Sequence, residues 1–127
     1  MSILKKRSTV TLLLLVFSLL FVHSASAATS KTVYLARDQH AAFSDDLYFS
    51  TGDVISFYGE SSVTSVHNVV LVLFGPNGGA LDSVIIAPNG SGGDTYTVTQ
   101  SGYYSIGLGT GGAGQTGSVA YGTISKF

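Results

Sequence analysis

The side chains best suited to nucleophilic catalysis are few. After the apolar N-terminal segment the chain has two histidines, His40 and His67, and the whole sequence has no cysteine. A serine nucleophile needs a histidine base and an acid that orients it. Neither histidine lies in a nucleophile motif, and Gly90-Ser91-Gly92 is predicted to lie in a loop rather than in a strand–turn–helix elbow. We therefore predict no catalytic residues and no enzymatic activity.

Carboxylates could serve a glycosidase or a calcium site. Asp45 and Asp46 are adjacent, so their side chains diverge in a strand and do not form an opposed catalytic pair. Calcium binds carboxylate and carbonyl oxygens in loops. Several aspartates lie near glycines and could supply such oxygens: Asp38, Asp45, Asp46, Asp53 and Asp94. Because aspartate in a turn usually accepts hydrogen bonds from its own backbone, we favour turn capping for these residues.

Other cofactor sites are also disfavoured. Two histidines without cysteine make zinc improbable. The run Gly107 to Gly112 has a glycine-x-glycine pattern, but no helix follows it, so it is predicted to be a loop and not a phosphate site. The sequence thus predicts no metal and no cofactor.

Tyrosines are the best candidates for binding. All seven follow the apolar N-terminal segment, and strand alternation places Tyr34, Tyr48 and Tyr103 on outward faces. An exposed tyrosine ring can stack on a sugar or on a partner chain. The alternative is that these rings cover sheet faces or pack under loops, since tyrosine is often partly buried. We predict Tyr34, Tyr48 and Tyr103 as ligand-binding residues.

The N-terminus has the three parts of a secretory signal peptide. Lys5-Lys6-Arg7 is basic, Val10 to Val22 is almost wholly apolar, and Ala25-Ser26-Ala27 is a small-x-small cleavage site. A membrane span needs roughly 20 apolar residues, which this segment does not reach. We expect cleavage after Ala27, a single domain over residues 28–127, and a secreted, extracellular protein.

Charge limits the partners of that domain. Three cations (Lys31, Arg37 and Lys126) remain beside all seven acids, so the net charge becomes −4 with neutral histidines. No basic stripe is available to neutralise phosphates, which argues against nucleic acid and against an anionic membrane surface. Neutral polar partners, including sugars, or further copies of the chain fit better.

The strand pattern is organised around a hairpin. Val69 to Phe74 and Val84 to Ala87 are apolar, β-branched runs joined by Pro76-Asn77-Gly78. Ala41 to Phe49 is predicted to carry Ala41, Phe43, Leu47 and Phe49 on one face, with a turn or bulge at Ser44 to Asp46. Pro88 to Asp94 is predicted to be a glycine-rich loop. About eight short strands in all predict an all-β, antiparallel, jelly-roll-like β-sandwich.

Three motifs resemble the bacterial pre-peptidase C-terminal domain. They are the Gly-Asp turn that opens GDVISF from Gly52, the FGPNG turn from Phe74, and SGYYSI from Ser101. The resemblance spans roughly Val33 to Leu108 and implies a jelly-roll-like sandwich that assists secretion or binds substrate. That family is appended to secreted hydrolases, whereas here we expect a free-standing domain.

The leading functional hypothesis is a secreted, non-catalytic binding or accessory module for an extracellular polysaccharide or protein. The alternative is a structural subunit of a fibre, coat or matrix that self-associates through sheet edges. A small secreted inhibitor or toxin is a third possibility. The low fraction of charged residues, 10%, suits either of the first two.

Overall fold

The computed structural model describes residues 29–127, and the predicted signal peptide lies outside them. Nine strands make up the described chain: β1 (Ser30–Leu35), β2 (Ala41–Phe43), β3 (Leu47–Phe49), β4 (Val54–Ser61), β5 (Val69–Phe74), β6 (Ala80–Ile86), β7 (Ser91–Thr97), β8 (Gly102–Gly109) and β9 (Ala120–Lys126). From Thr29 onwards, no helix is long and apolar enough to cross a membrane.

The strands form two antiparallel sheets. The four-stranded sheet has the order β1-β9-β4-β7, and the five-stranded sheet has the order β2-β8-β5-β6 with β3 also paired to β8. The chain passes back and forth between the two sheets. The predicted antiparallel β-sandwich is confirmed, with nine strands instead of eight because β2 and β3 are separate.

The β5–β6 hairpin carries the centre of the core, as the sequence predicted. Val69, Leu71 and Leu73 on β5 are fully buried, while the alternate residues of this strand face outward and are half-buried. Gly78 has a φ of 79° and closes the turn by donating a 2.9 Å hydrogen bond to the Gly75 carbonyl. Leu81 is an extra residue on β6, because Leu73 pairs with Asp82 whereas Phe74 pairs with Ala80.

A row of three glycines crosses the inner face of the four-stranded sheet. Gly92, Gly59 and Gly122 are direct partners across β7, β4 and β9. A Cβ at Gly59 would lie 2.9 Å from Ile86 Cδ1, and one at Gly122 would lie 3.2 Å from Leu71 Cδ1. We call these residues the glycine row. It forms a groove that receives the large side chains of the opposite sheet, which lets the two layers approach closely.

The predicted loop from Pro88 to Asp94 is wrong in its second half. Ser91 to Asp94 belong to β7 and pair in register with β4. A Cβ at Gly92 would lie 2.8 Å from Val84 Cγ1, and one at Gly93 would lie 2.5 Å from the Phe57 carbonyl oxygen. These glycines therefore serve close packing between strands, a role that glycine also has inside sheets.

Turn capping by aspartate is confirmed at Asp53, where the Ser50 amide donates a 2.8 Å hydrogen bond to Asp53 Oδ2. Asp94 lies within β7 instead of a turn, and its Oδ1 accepts a 2.8 Å hydrogen bond from the next amide, that of Thr95. The hydrogen bond from Ser50 lowers the pKa of Asp53, and Lys126 Nζ, 3.4 Å away, adds to this effect. These carboxylates are thus engaged with their own backbone.

Asp82 and Asp94 bring two carboxylates together where β6 and β7 meet. The side-chain hydrogen bond with Asp94 raises the pKa of Asp82, and desolvation raises it further. The same contact lowers the pKa of Asp94. The pair therefore favours one shared proton, because loss of that proton places two like charges side by side.

We predict that Gly59→Val destabilises the protein because its two methyl groups must fit where Leu71 and Ile86 already pack. Overpacking of this kind costs about 1–3 kcal/mol. The matched control is Gly79→Val, since nothing lies within 4 Å of a Cβ at Gly79. Denaturant unfolding measures both variants. Equal stability of the two variants would contradict the role of the glycine row.

We predict that Asp82→Asn raises the melting temperature at pH 7 and that the gain disappears in acid. The raised pKa of Asp82 means that the folded state binds its proton more tightly than the unfolded state. The pair therefore contributes stability below that pKa and loses it as pH rises. Thermal unfolding of both proteins from pH 3 to pH 8 measures the crossover, and a gain that is constant with pH would refute this account.

Candidate functional site

A one-residue bulge between β2 and β3 determines which aromatic side chains face solvent. Phe43 pairs with Gly107 and Leu47 pairs with Tyr104. The chain thus advances four residues between these two pairs, while β8 advances only three. The extra residue reverses the alternation of side chains. The prediction that Phe43 shares a face with Leu47 and Phe49 is therefore wrong: the latter two are buried, and Phe43 is 67% exposed.

Ser44 holds this bulge in place. Its amide donates a 2.9 Å hydrogen bond to the Ile106 carbonyl, and its Oγ accepts a 3.0 Å hydrogen bond from the Ile106 amide. The Ser44 hydroxyl also donates to the Asp45 carbonyl. The side chain thus replaces a backbone group of the ladder, so the break in pairing leaves no buried amide unsatisfied at Ile106.

Three aromatic rings and several polar groups line a cleft on the outer face of the five-stranded sheet. Phe43 and Phe74 have ring centroids 6.0 Å apart and both contact the space above Gly107, where a Cβ would lie 2.9 Å from each ring. The cleft has a volume of about 460 Å³. We call it the aromatic cleft; its lining comprises Phe43, Ser44, Asp46, Phe74, Gly75, Pro76, Gly78, Tyr103 and Ser105.

Two of the three predicted binding tyrosines lie at this face. Tyr48 and Tyr103 are direct partners across β3 and β8, with ring centroids 5.3 Å apart in an edge-to-face arrangement. They are 53% and 60% exposed, so their outward orientation is confirmed. Tyr103 lines the aromatic cleft and Tyr48 supports its ring from the side. Their role in ligand binding stays a prediction.

Tyr34 belongs to a different surface. It is 72% exposed on the outer face of the four-stranded sheet, directly opposite Tyr121 on β9. Tyr121 is in turn the partner of Glu60 on β4, and the Tyr58 hydroxyl donates a 2.6 Å hydrogen bond to Glu60 Oε1. The structure therefore separates Tyr34 from Tyr48 and Tyr103, and the three predicted residues do not form one site.

Glu60 organises this second surface, which we call the tyrosine face (Tyr34, Tyr58, Glu60 and Tyr121). Hydrogen bonds from Tyr58 and then Tyr121 lower the pKa of Glu60. Conversely, the hydrogen bond to Glu60 and the charge on that carboxylate raise the pKa of the Tyr121 phenol. The carboxylate is thus ionised and already has phenol donors, which makes it a poor general acid.

Sequence alternation missed several residues of these surfaces. Phe43 was predicted on the face of Leu47 and Phe49, because counting alternate residues across Ser44 to Asp46 does not allow for the extra residue of the bulge. The outward position of Phe74 could not be predicted, because it belongs to a continuous apolar run in which both faces of the strand carry similar residues. Tyr58 and Glu60 could have been found, since they alternate with the buried Phe57 and Gly59 along β4.

The histidines contribute through their backbone. Ser118 Oγ accepts from the His67 amide and donates to the His67 carbonyl, each at 3.0 Å. The His40 carbonyl accepts from the Thr110 amide at 3.0 Å. Within residues 29–127 no group of three or more histidine, aspartate or glutamate side chains is placed to hold a metal ion.

Comparisons with known proteins give likenesses in fold only. No protein-family model and no curated protein matches the chain. One similar solved structure comes from Bacillus endospore appendages, which form disulfide-linked pili; it has 23% identity, a TM-score of 0.42, and coverage of 77% of this chain and 87% of that one. PirA has 9% identity, a TM-score of 0.45, and coverage of 80% and 96%. TmCBM61, solved with β-1,4-galactotriose, has 14% identity, a TM-score of 0.43, and coverage of 76% and 69%.

We predict that Glu60→Gln lowers the pKa of the Tyr121 phenol toward its ordinary value. Glutamine keeps an acceptor for the phenol but removes the negative charge that opposes its ionisation. The tyrosine ring resonances, followed by NMR from pH 8 to pH 12, report the change. Asp46→Asn, on the opposite face of the sandwich, is the control and should leave Tyr121 unaffected. An unchanged Tyr121 titration in Glu60→Gln would contradict the assigned contact.

Proposed function

We propose that this protein is an extracellular, non-catalytic module that binds a neutral polysaccharide in the aromatic cleft. The observation that carries this proposal is the lining of the cleft, which combines the rings of Phe43, Phe74 and Tyr103 with the side chains of Ser44, Asp46 and Ser105. Sugar rings have apolar C–H faces that stack on aromatic rings, and hydroxyls that donate to carboxylates and exchange hydrogen bonds with serine.

The charge around the cleft supports a neutral ligand. Among residues 29–127, Asp46 is the one charged side chain in the lining, and the chain from residue 28 onward has a net charge of −4. An anionic polymer would meet repulsion from both, because none of the described residues that line the cleft is basic. A neutral glycan meets no such repulsion and can use the Asp46 carboxylate as an acceptor.

The cleft is also rigid, which favours binding. Phe43, Phe74 and Tyr103 are placed on paired strands, and the Phe43 and Phe74 rings pack against each other above Gly107. Aromatic side chains already held by the sheet lose little conformational freedom when a ligand arrives. The proposal also includes export by the predicted signal peptide, which is removed after Ala27. It further includes a relationship to pre-peptidase C-terminal domains.

We expect Phe43→Ala and Tyr103→Ala to weaken retention on insoluble polysaccharide by roughly tenfold each, equivalent to about 1.4 kcal/mol. Co-sedimentation with cellulose, chitin, xylan and galactan measures the affinity. Both side chains are more than half exposed, so the folded state should keep its melting temperature within a few degrees.

Tyr34→Ala is the matched control, because it removes an exposed tyrosine from the opposite face and should leave retention unchanged. If the wild-type protein is retained on none of these polymers, the proposal is wrong. Equal losses in Tyr34→Ala and Tyr103→Ala would also reject the aromatic cleft as the site.

A further inference from the structure

The two edges of the four-stranded sheet run in opposite directions. β1, β9, β4 and β7 alternate in direction, and within residues 29–127 β1 pairs only with β9 and β7 pairs only with β4. A second copy placed beside the first in the same orientation would therefore set its β1 antiparallel to the first copy's β7. The even number of strands allows this contact to repeat without limit.

The register of the sheet brings opposite charges together in such a contact. Lys31 on β1 pairs with Ile124, Ile124 pairs with Phe57, and Phe57 pairs with Asp94 on β7. Lys31 and Asp94 thus lie at the two ends of one row. A neighbouring copy that continues this row places its Lys31 directly opposite Asp94, where opposite charges across a strand pair are favourable.

The other rows are complementary in size. The row that ends in Val33 on β1 ends in Gly92 on β7, the next ends in Thr32 and Gly93, and a third ends in Tyr34 and Ser91. Each larger side chain of one edge would meet a small residue of the other. Neither edge contains proline, so each backbone amide that points away from the sheet can donate to a new ladder.

The edges of the five-stranded sheet lack this regularity. The β2–β3 edge is interrupted by the bulge at Ser44, and β6 carries the extra residue Leu81. Bulges at edges hinder pairing with other chains. The uninterrupted edges therefore occur together on one sheet, and they are the two that a head-to-tail contact would use.

Asp82 gives an additional reason for a cation at β7. Its carboxylate lies beside Asp94, and the pKa of Asp82 is raised by that contact. An ammonium group from a neighbouring Lys31 would offset the negative charge that these two carboxyl groups gather at the edge of the sheet.

We propose that copies of this chain associate head to tail by pairing β1 of one with β7 of the next, in the register that sets Lys31 opposite Asp94. The contact extends the four-stranded sheet into a continuous ribbon, and the twist of the sheet turns the ribbon into a helical filament. The proposal goes beyond polysaccharide binding and does not depend on it, since the aromatic cleft lies on the other sheet.

Charge reversal tests the register in protein produced from the full-length sequence. Lys31→Asp and Asp94→Lys should each weaken association at least tenfold in sedimentation velocity, and the double variant Lys31→Asp/Asp94→Lys should restore it to within about threefold of wild type. Asp45→Lys, exposed in the bulge of the other sheet, is the control and should associate like wild type. Failure of the double variant to recover would overturn the register.

Cysteine cross-linking gives an independent readout, because the chain has no cysteine of its own. Two strands separate positions 31 and 94 within one copy, a span of about 14 Å, so Lys31→Cys/Asp94→Cys can form disulfides only between copies. Mild oxidation should give a ladder of covalent multimers, whereas Lys31→Cys/Asp45→Cys should give no ladder, because Asp94 and not a cysteine faces position 31 in this register. The absence of a ladder, or equal ladders from both variants, would refute the proposal.

Discussion

The close approach of the two sheets depends on the glycine row. Gly92, Gly59 and Gly122 leave a groove across the inner face of one sheet, and Leu71, Ile86 and Ile106 from the other sheet fill it. A domain of about 100 residues buries a modest core, and many exported domains of this size add disulfides. Without cysteine, this chain depends on interdigitation of its two layers, and the glycines make that possible.

The two outer faces have different chemistry because their strands place different residues outward. The five-stranded sheet presents Phe43, Phe74 and Tyr103 around a cleft, next to the half-buried Val70 and Val72. The four-stranded sheet presents hydroxyl groups and a carboxylate already bound by phenols. The aromatic cleft therefore combines phenylalanine rings with polar groups, whereas the aromatic rings of the opposite face are all tyrosines, grouped around the Glu60 carboxylate.

Alternation of apolar residues was sufficient to predict most strands and the central hairpin. It failed where an extra residue in a strand changes which side chains face outward, and where close packing requires glycine inside a strand. Ser91 to Asp94 look like a loop because glycine has a low strand propensity, yet contact with Val84 and Phe57 requires glycine there. Likewise, Phe43 faces outward because of one bulged residue. The position of that residue becomes visible only when the pairing of β2 and β3 with β8 is known.

The separation of the predicted tyrosines has the same origin. The alternation of side chains along a strand predicts that a residue faces outward, but it does not predict to which of the two sheets the strand belongs. Tyr34 and Tyr103 are both outward and belong to opposite faces because β1 and β8 lie in different sheets. Sheet membership follows from long-range pairing, which local pattern does not contain.

The bulge at Ser44 also bears on how this segment tolerates change over evolution. Replacing Asp45 by another polar residue keeps the number of residues and so keeps Phe43 outside. Loss of a single codon would restore uninterrupted alternation, carry an aromatic ring into a filled interior and remove one wall of the cleft. The fold therefore constrains the length of this segment more strongly than the identity of its exposed side chains.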